Sequence, residues 1–313
     1  MIYKLEQNRV SRTYKGGHNI EAFTNERLDI TSDFFPEDWT GSAICANQEG
    51  YGKTTDGLLV KDIVGDDTFP VLLKLLDSDE RLVIQAHPSV EFSKKHLNSP
   101  FGKTECWYFL DCSPDACVYL GFKPTVTKEI WQNAIEKQDV DTLLSCLHKV
   151  PVKKGDFIFV DGGLPHAIGA GCFMIELQEP TDFMVVAEKV TPSGNKIPDY
   201  RLTMGLSMDL ALNVYNYTTY TKEELYSRFI KEITFETNSI VPILGKSQTD
   251  KFKMNLLCGN CTYEQEKAYA IAVVLNGEGA INGHNVKKGN RLFLVNETAI
   301  KTSGDTLEIV ICE

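Results

Sequence analysis

Four residues with metal-binding side chains occur in an order that could build one site: Gln85 and His87, then Glu105, then His166. Gln85 and His87 lie two apart in an apolar stretch that predicts a β-strand, and side chains two apart leave the same face of a strand. A carboxylate and a second imidazole from neighbouring strands would complete the set. Such nitrogen and oxygen ligands suit Zn²⁺ or a similar divalent ion and leave room for a substrate.

Short apolar runs bounded by Gly, Pro, Asn and Asp dominate the chain and predict the strands that would position these ligands. The clearest runs are residues 69–76, 82–86, 105–110, 116–121, 157–160 and 173–177. Many short strands at a spacing of about 8–12 residues are typical of a sandwich or barrel. The sequence therefore predicts a mainly β fold.

Helical periodicity interrupts this pattern at two places. A helical insertion is predicted at about residues 127–148, where Thr127 is a capping residue and Ile130, Ala134 and Ile135 follow at helical spacing. Residues 208–213 and 221–230 predict further helices, the second one capped by Thr221.

A faint internal repeat divides the chain. Residues 153–160 resemble residues 287–295, since in both a basic pair and a glycine lead into an apolar strand. We therefore predict a catalytic domain over residues 1–200 that contains the insertion, a helical connection over 201–235 and a second β domain over 236–313. The second domain is predicted to lack a metal, because its one histidine, His284, lies in a polar turn.

Composition restricts the partners. The net charge of −11 argues against nucleic acid or an anionic membrane as the main partner, although a locally basic pocket could still bind a small anionic substrate. Apolar runs are too short for a transmembrane helix, and charges occupy the start of the chain where a signal peptide is apolar. Nine scattered cysteines are expected to be free thiols, which predicts a cytoplasmic protein. Monomer and homodimer both remain open.

The stretch from Gly155 to His166 resembles the second metal motif of the cupin superfamily, with Asp161 in place of a proline. Gln85 and His87 stand where the first cupin motif has two histidines, and Glu105 follows in the expected order. The resemblance implies a double-stranded β-helix, or cupin jelly roll, in two cupin-like units with small helical insertions.

More specifically, the chain resembles the type I mannose-6-phosphate isomerase family in its short bacterial form. The resemblance covers about residues 12 to 185 and is carried by residues 35–42, 69–77, 84–88, 102–108, 162–169 and 176–182. It implies a zinc-dependent aldose–ketose isomerase that interconverts mannose 6-phosphate and fructose 6-phosphate through a cis-enediol.

The resemblance also implies roles for individual residues. Lys103 would face the pocket, bind sugar phosphate and take part in catalysis, and Lys74 would add to the same positive surface for substrate binding. Glu176 matches a pocket carboxylate and is the first candidate for the catalytic base. The implied zinc ligands are Gln85, His87, Glu105 and His166.

Two positions depart from the family pattern. Val83 replaces a serine, and Val186 occupies the place of an arginine that the family uses in catalysis. Arg201 or Arg12 could supply the missing cation. Two alternative functions therefore stay open: a metal-bearing cupin that acts on another sugar phosphate, and a cupin that binds a sugar phosphate without turnover.

Overall fold

The structure is a computed structural model that describes residues 1–45, 50–65 and 69–313. The described residues form mainly antiparallel β-sheet, which confirms the predicted mainly β fold. None of the described helices is long and apolar enough to cross a membrane.

The first part of the chain contains most of the strands that surround the candidate ligands. They are β1 (Ile2–Lys4), β2 (Arg9–Val10), β3 (Glu37–Thr40), β4 (Leu72–Ser78), β5 (Gln85–Ala86), β6 (Glu105–Cys112), β7 (Cys117–Phe122), β8 (Leu147–Pro151), β9 (Asp156–Val160), β10 (His166–Ile168), β11 (Cys172–Gln178), β12 (Val185–Val186) and β13 (Ile230–Glu232).

Short helices connect these strands. They are α1 (Asn19–Thr24), α2 (Val60–Val64), α3 (Val90–His96), α4 (Lys128–Lys137), α5 (Val140–Ser145), α6 (Asp199–Leu202), α7 (Met208–Ala211), a 3₁₀ turn (Leu212–Val214) and α8 (Lys222–Phe229).

The last part of the chain consists of strands joined by turns. They are β14 (Ser239–Leu244), β15 (Met254–Cys258), β16 (Thr262–Glu264), β17 (Tyr269–Asn276), β18 (Glu278–Ile281), β19 (His284–Lys287), β20 (Arg291–Val295), β21 (Ala299–Ser303) and β22 (Glu308–Cys312).

Two sheets make up what we call the first unit. One has seven strands in the order β13-β9-β6-β11-β4-β3-β2, and the other has five in the order β12-β5-β10-β7-β8. The second unit likewise has a six-stranded sheet, β1-β20-β17-β22-β15-β14, and a four-stranded sheet, β16-β21-β18-β19.

The second unit includes β1, whose residues Ile2 to Lys4 pair with Leu294 to Leu292 of β20. The sheet pairing therefore differs from the predicted boundary, which assigned all of residues 1–200 to the first domain. An apolar run as short as Ile2–Lys4 gives no signal of the sheet that it joins. The division into domains stays a prediction.

The two units share one buried core, because the seven-stranded sheet has two covered faces. In β4, Leu73 and Leu75 pack in the same apolar cluster as Met254 and Val310 of the second unit. Lys74 alternates with them and points to the other face, toward the five-stranded sheet. Alternation along this buried strand thus places a charged side chain between the two sheets of the first unit.

The predicted helices form, with local adjustments. Thr127 caps α4 by accepting a hydrogen bond from the Ile130 amide, and Thr221 caps α8 in a capping box with Glu224. The buried face of α4 contains Trp131 rather than Ile130, which is 43 % exposed. Phe122 packs edge-on against the Trp131 ring, so the large aromatic side chain takes the core position.

Candidate active site

The four candidate metal ligands converge between the two sheets of the first unit. His166 begins β10 and lies directly opposite Gln85 in β5, while His87 follows that strand. Glu105 begins β6 in the facing seven-stranded sheet. Strand pairing thus supplies three ligands from one sheet and one from the other.

Distances within the group suit a common ion. Ligand atoms of His87, Glu105 and His166 all lie within 4.8 Å of one another, and all three residues are buried. Nε2 of His87 is 3.2 Å from one Glu105 carboxylate oxygen, and Nε2 of His166 is 3.5 Å from the other. The Gln85 amide is 3.4 Å from His166 Nε2, so a rotation of its terminal bond would present the amide oxygen to the same point.

Backbone carbonyls orient both imidazoles. The Nδ1 atoms of His87 and His166 lie 2.7 Å and 2.9 Å from the carbonyl oxygens of Phe183 and Leu164. Nδ1–H donation to these carbonyls leaves Nε2 unprotonated and directed at the group. Burial, and to a smaller extent the neighbouring Lys103, lowers the pKa of both imidazoles, that of His87 to about 4. Neutral imidazoles are the form that binds a metal, so the donor set fits a divalent ion.

Lys103 lies against two of the candidate ligands, Glu105 and His87. Its Nζ is 2.7 Å from Glu105 Oε2 and 2.8 Å from His87 Nε2. Burial alone would raise the pKa of the Glu105 carboxyl, but Lys103 and His87 outweigh it and hold that pKa well below its usual range. The carboxylate is therefore ionised and able to act as a ligand.

Lys74 and Glu176 form a second buried ion pair beside the first. They face each other across β4 and β11, with Nζ 2.7 Å from Glu176 Oε1. Glu37 lies 3.6 Å from the same ammonium. Burial lowers the pKa of Lys74, but the two carboxylates outweigh it and raise that pKa above its usual value. Lys74 and Glu176 both line the same cavity.

Arg12 lies beside Glu37. We call Arg12, Glu37, Lys74, Glu176 and Asp182 the charged floor of the site. The Arg12 guanidinium donates two hydrogen bonds to the Asp182 carboxylate, at 2.8 Å and 2.9 Å, and lies 3.2 Å from Glu37. Burial would raise the pKa of Asp182, yet Arg12 holds that pKa below its usual range. Tyr14 donates a 2.6 Å hydrogen bond to Glu37. The Arg12 side chain is therefore bound to carboxylates of the protein itself.

The sequence assigned no role to Glu37, Asp182 or Tyr14. Glu37 and Asp182 lie inside the residue blocks 35–42 and 176–182 that carry the family resemblance, so those blocks held the available signal. Tyr14 lies outside every such block, and its position follows only from the packing around Glu37.

A cavity of about 450 Å³ opens over these residues. It is lined by the charged floor and by Gln85 and Lys103, which contact the deeper ligands His87, Glu105 and His166. This volume lies within the range of about 300–1,000 Å³ that is common for small-molecule sites. Lys74, Gln85, Lys103 and Glu176 line this cavity, whereas His87, Glu105 and His166 are not among its lining residues.

The opposite side of the cavity is apolar. We call Val83, Met184, Val186 and Ile197 the apolar wall; they line the cavity and pack together. The two positions that depart from the family pattern, Val83 and Val186, thus lie in one cluster. Val186 is also the direct strand partner of Gln85, so an apolar side chain lies beside a candidate ligand.

Arg201 also lines the cavity, at the edge of the apolar wall. It belongs to α6, which packs against β12, the strand of Val186. The guanidinium is half-buried and lies 5.9 Å from the exposed Tyr200 ring. Among the ion pairs of the described residues, none involves Arg201. It therefore differs from Arg12, Lys74 and Lys103, each of which has a carboxylate partner.

The chain is similar in sequence to mannose-6-phosphate isomerases from other organisms. No family model matches the chain. It is 32 % identical to a mannose-6-phosphate isomerase of Bacillus subtilis over 234 residues, which cover 73 % of this chain and 70 % of the relative. It is 33 % identical to a mannose-6-phosphate isomerase of Streptococcus mutans over 165 residues, which cover 49 % of this chain and 51 % of that protein.

Solved structures of similar fold extend over the full chain. The crystal structure of the mannose 6-phosphate isomerase from Bacillus subtilis matches with a TM-score of 0.78 at 21 % identity, covering 100 % of this chain and 99 % of that chain. A variant of the phosphomannose isomerase from Salmonella typhimurium matches with a TM-score of 0.73 at 13 % identity, covering 99 % of each. These likenesses confirm the predicted cupin fold.

Proposed function

The chain belongs to the mannose-6-phosphate isomerase family, and on that premise we propose that it interconverts mannose 6-phosphate and fructose 6-phosphate with one zinc ion per chain. The observation that carries the proposal is the convergence of four metal-binding side chains beneath a cavity that also holds Lys74, Lys103 and Glu176. The nine free cysteines support a further proposal, that the protein acts in the reducing cytoplasm.

The zinc ligands would be Gln85, His87, Glu105 and His166. When bound there, zinc would polarise the substrate carbonyl and stabilise the negative charge that develops on the enediol oxygens. Lys103 donates hydrogen bonds within this same group, so its ammonium would lie beside those oxygens and offset their charge.

Isomerisation removes the proton from C2 while O1 gains a proton, which gives a cis-enediol, and then returns a proton to C1 while O2 loses its proton. We propose Glu176 as the group that accepts and returns this proton, because its carboxylate lies on the cavity beside the candidate metal group. Lys74, 2.7 Å from Glu176, would hold the carboxylate in place. Lys103 would supply the positive charge that the enediol needs, so the two predicted catalytic residues have different tasks.

The charges of the cavity favour Arg201 for the substrate phosphate. A phosphate monoester carries a charge of about −1.5 to −2 at neutral pH. Arg12, Lys74 and Lys103 each lie within 3 Å of a carboxylate oxygen, so much of their charge is already balanced. Arg201 has no such partner among the described residues, and a planar guanidinium can bind two phosphate oxygens. Lys74 and Lys103 would then bind the sugar end of the substrate.

Replacing Arg201 with methionine is expected to raise KM for mannose 6-phosphate about 10- to 100-fold, the loss expected for one or more hydrogen bonds to a charged group. The effect on kcat should be small, because no hydrogen bond or ion pair among the described residues joins Arg201 to a candidate metal ligand. Steady-state kinetics of R201M and the charge-conserving R201K measure this. R228M is the matched control, since Arg228 is an exposed arginine on α8 outside the cavity. An unchanged KM in R201M would remove Arg201 from phosphate binding.

The apolar wall favours one alternative, a reaction on a different sugar phosphate. Val83 and Val186 give the cavity an apolar surface beside Gln85, and such a surface cannot hydrogen-bond a sugar hydroxyl. A substrate that presents C–H groups to this wall would fit better than one that presents hydroxyls. Comparing kcat/KM across hexose and pentose phosphates distinguishes this alternative from the main proposal.

The defining experiment is a coupled assay of mannose 6-phosphate conversion, run before and after chelation and after zinc is restored. Activity should vanish with the chelator and return with zinc, while mass spectrometry of the intact protein should find one zinc per chain. Adding Mn²⁺ or Co²⁺ in parallel identifies the ion that supports the fastest turnover, since affinity order alone does not select the metal. No turnover by folded, zinc-loaded protein would refute the proposed reaction.

A further inference from the structure

Lys103 lies on a short segment that precedes β6, and a buried carboxylate holds that segment. Glu179, 2 % exposed, accepts hydrogen bonds from the backbone amides of Gly102, at 3.1 Å, and Thr104, at 2.9 Å. The Glu179 amide in turn donates to the Thr104 carbonyl oxygen at 3.0 Å. One side chain therefore binds the backbone amides of both residues that flank Lys103.

Two further hydrogen bonds fix the backbone of Gly102 and Lys103. The Lys103 amide donates to the Pro88 carbonyl oxygen at 3.0 Å, and the Thr181 hydroxyl donates to the Gly102 carbonyl oxygen at 2.6 Å. Gly102 also lies so close to Pro88 that an added Cβ would be 2.6 Å from the Pro88 oxygen. The segment is thus tightly packed, and it cannot shift without breaking bonds to Glu179.

The charge of Glu179 is balanced from the second unit. Lys251, between β14 and β15, places its ammonium 3.2 Å from Glu179 Oε2 and also donates to the Thr104 hydroxyl. Among the described residues, Lys251 is the only cation that forms an ion pair with Glu179. A buried carboxylate that loses its cation is strongly destabilised, so it would move or admit water.

We propose that Lys251 is a positioning residue for the reaction. Through Glu179 it would fix the backbone that carries Lys103, and so the second unit would help to set the geometry of a site that lies entirely in the first. The inference rests on the proposed function, since its main readout is turnover. Small displacements matter here, because moving a catalytic group by about 1 Å can cost roughly 10²-fold in rate.

Replacing Lys251 with methionine is expected to lower kcat about 10- to 100-fold, with little change in KM or zinc content. A loss of this size is common when a residue that orients an active-site group indirectly is removed. K251R should restore most of the loss, because arginine keeps the charge. K253M is the matched control: Lys253 is two residues away and pairs with Glu266, away from the cavity. Wild-type kcat in K251M would overturn the proposal.

A double-mutant cycle separates positioning from general stability. In a K103M background, K251M should lower kcat by no more than about twofold, because the group that it positions is gone. A loss of structure would lower kcat by the same factor in both backgrounds, and that result would also overturn the proposal.

The failure of the proposed reaction can be distinguished from the failure of the Lys251 proposal. If the reaction is wrong, wild-type protein loaded with zinc does not turn over mannose 6-phosphate. The hold on the Lys103 segment is then read by amide hydrogen exchange at Gly102 and Thr104. Exchange should be faster in K251M than in K253M, since the amides lose a fixed acceptor. Equal exchange in the two variants would refute the role of Lys251 whatever the substrate.

Discussion

Replacing His166 with asparagine is expected to lower kcat/KM for mannose 6-phosphate by at least about 10³-fold and to release zinc. A metal that acts as a Lewis acid contributes several kcal/mol to the barrier, and each 1.4 kcal/mol is a factor of ten. His166 is fully buried, and its Nε2 faces Glu105 and Gln85, so no outside group can take its place as a ligand. Steady-state kinetics and zinc content by mass spectrometry measure the two effects.

The control for this variant is H284A, which removes an exposed histidine of β19 outside the cavity. It should keep wild-type zinc content and turnover. Circular dichroism before the assay establishes that H166N is folded. A folded H166N that retains both zinc and activity would refute the proposed ligand set.

The second large effect is expected at Lys103. Methionine in its place should lower kcat about 10²- to 10⁴-fold, the usual range for removing a group that stabilises charge or transfers a proton. The methionine side chain keeps most of the volume of this buried position, so the packing should be largely kept. Substrate binding should change less, because Arg201 would still hold the phosphate. Separate kcat and KM values, with zinc content as a check, measure the effect.

Glu176→Gln is the comparison for this variant. If Glu176 transfers the proton, E176Q should lose turnover and the limb of the pH profile that reports a carboxylate, while K103M keeps that limb. Full turnover in E176Q with an unchanged pH profile would exclude Glu176 as the base. Equal pH profiles in wild-type protein and both variants would refute the division of tasks between the two residues.

The metal group could be predicted from the sequence because its signals are local. Gln85 begins β5 and His87 directly follows it, and Lys103 directly precedes the strand that Glu105 begins, so short-range spacing determines which of these side chains can meet. The pairing of His166 with Gln85 is not local: the sequence predicts a second imidazole from a neighbouring strand, but not the strand partner that it has.

The carboxylate partners of the predicted cations could not be predicted from local spacing. Lys74 pairs with Glu176 and Arg12 pairs with Asp182, at sequence separations of 102 and 170 residues, and one sequence contains no sign of such contacts. The same holds for Lys251, which lies in a polar turn region where a lysine is ordinarily solvated. Arg201 reaches the cavity only because α6 packs on β12.

Amphipathic patterning predicts which residues of a helix are buried only to within about one position. The pattern that predicted α4 included Ile130, but the core takes Trp131, since a buried indole covers more apolar surface than an isoleucine. The strand predicted over residues 82–86 is similarly reduced to Gln85–Ala86. Element type follows from periodicity, whereas the details depend on packing that is decided elsewhere in the fold.

The pairing of β1 with β20 has a consequence for how the protein is made. Translation proceeds from the N-terminus, so Ile2–Lys4 leave the ribosome long before their partner strand, Arg291–Val295, is synthesised. At about 5–20 residues per second, the first strand remains without its partner for tens of seconds. The strands of the first unit are all synthesised by residue 232, so a nascent chain could assemble the candidate metal group while the sheet that supports Lys251 is still incomplete.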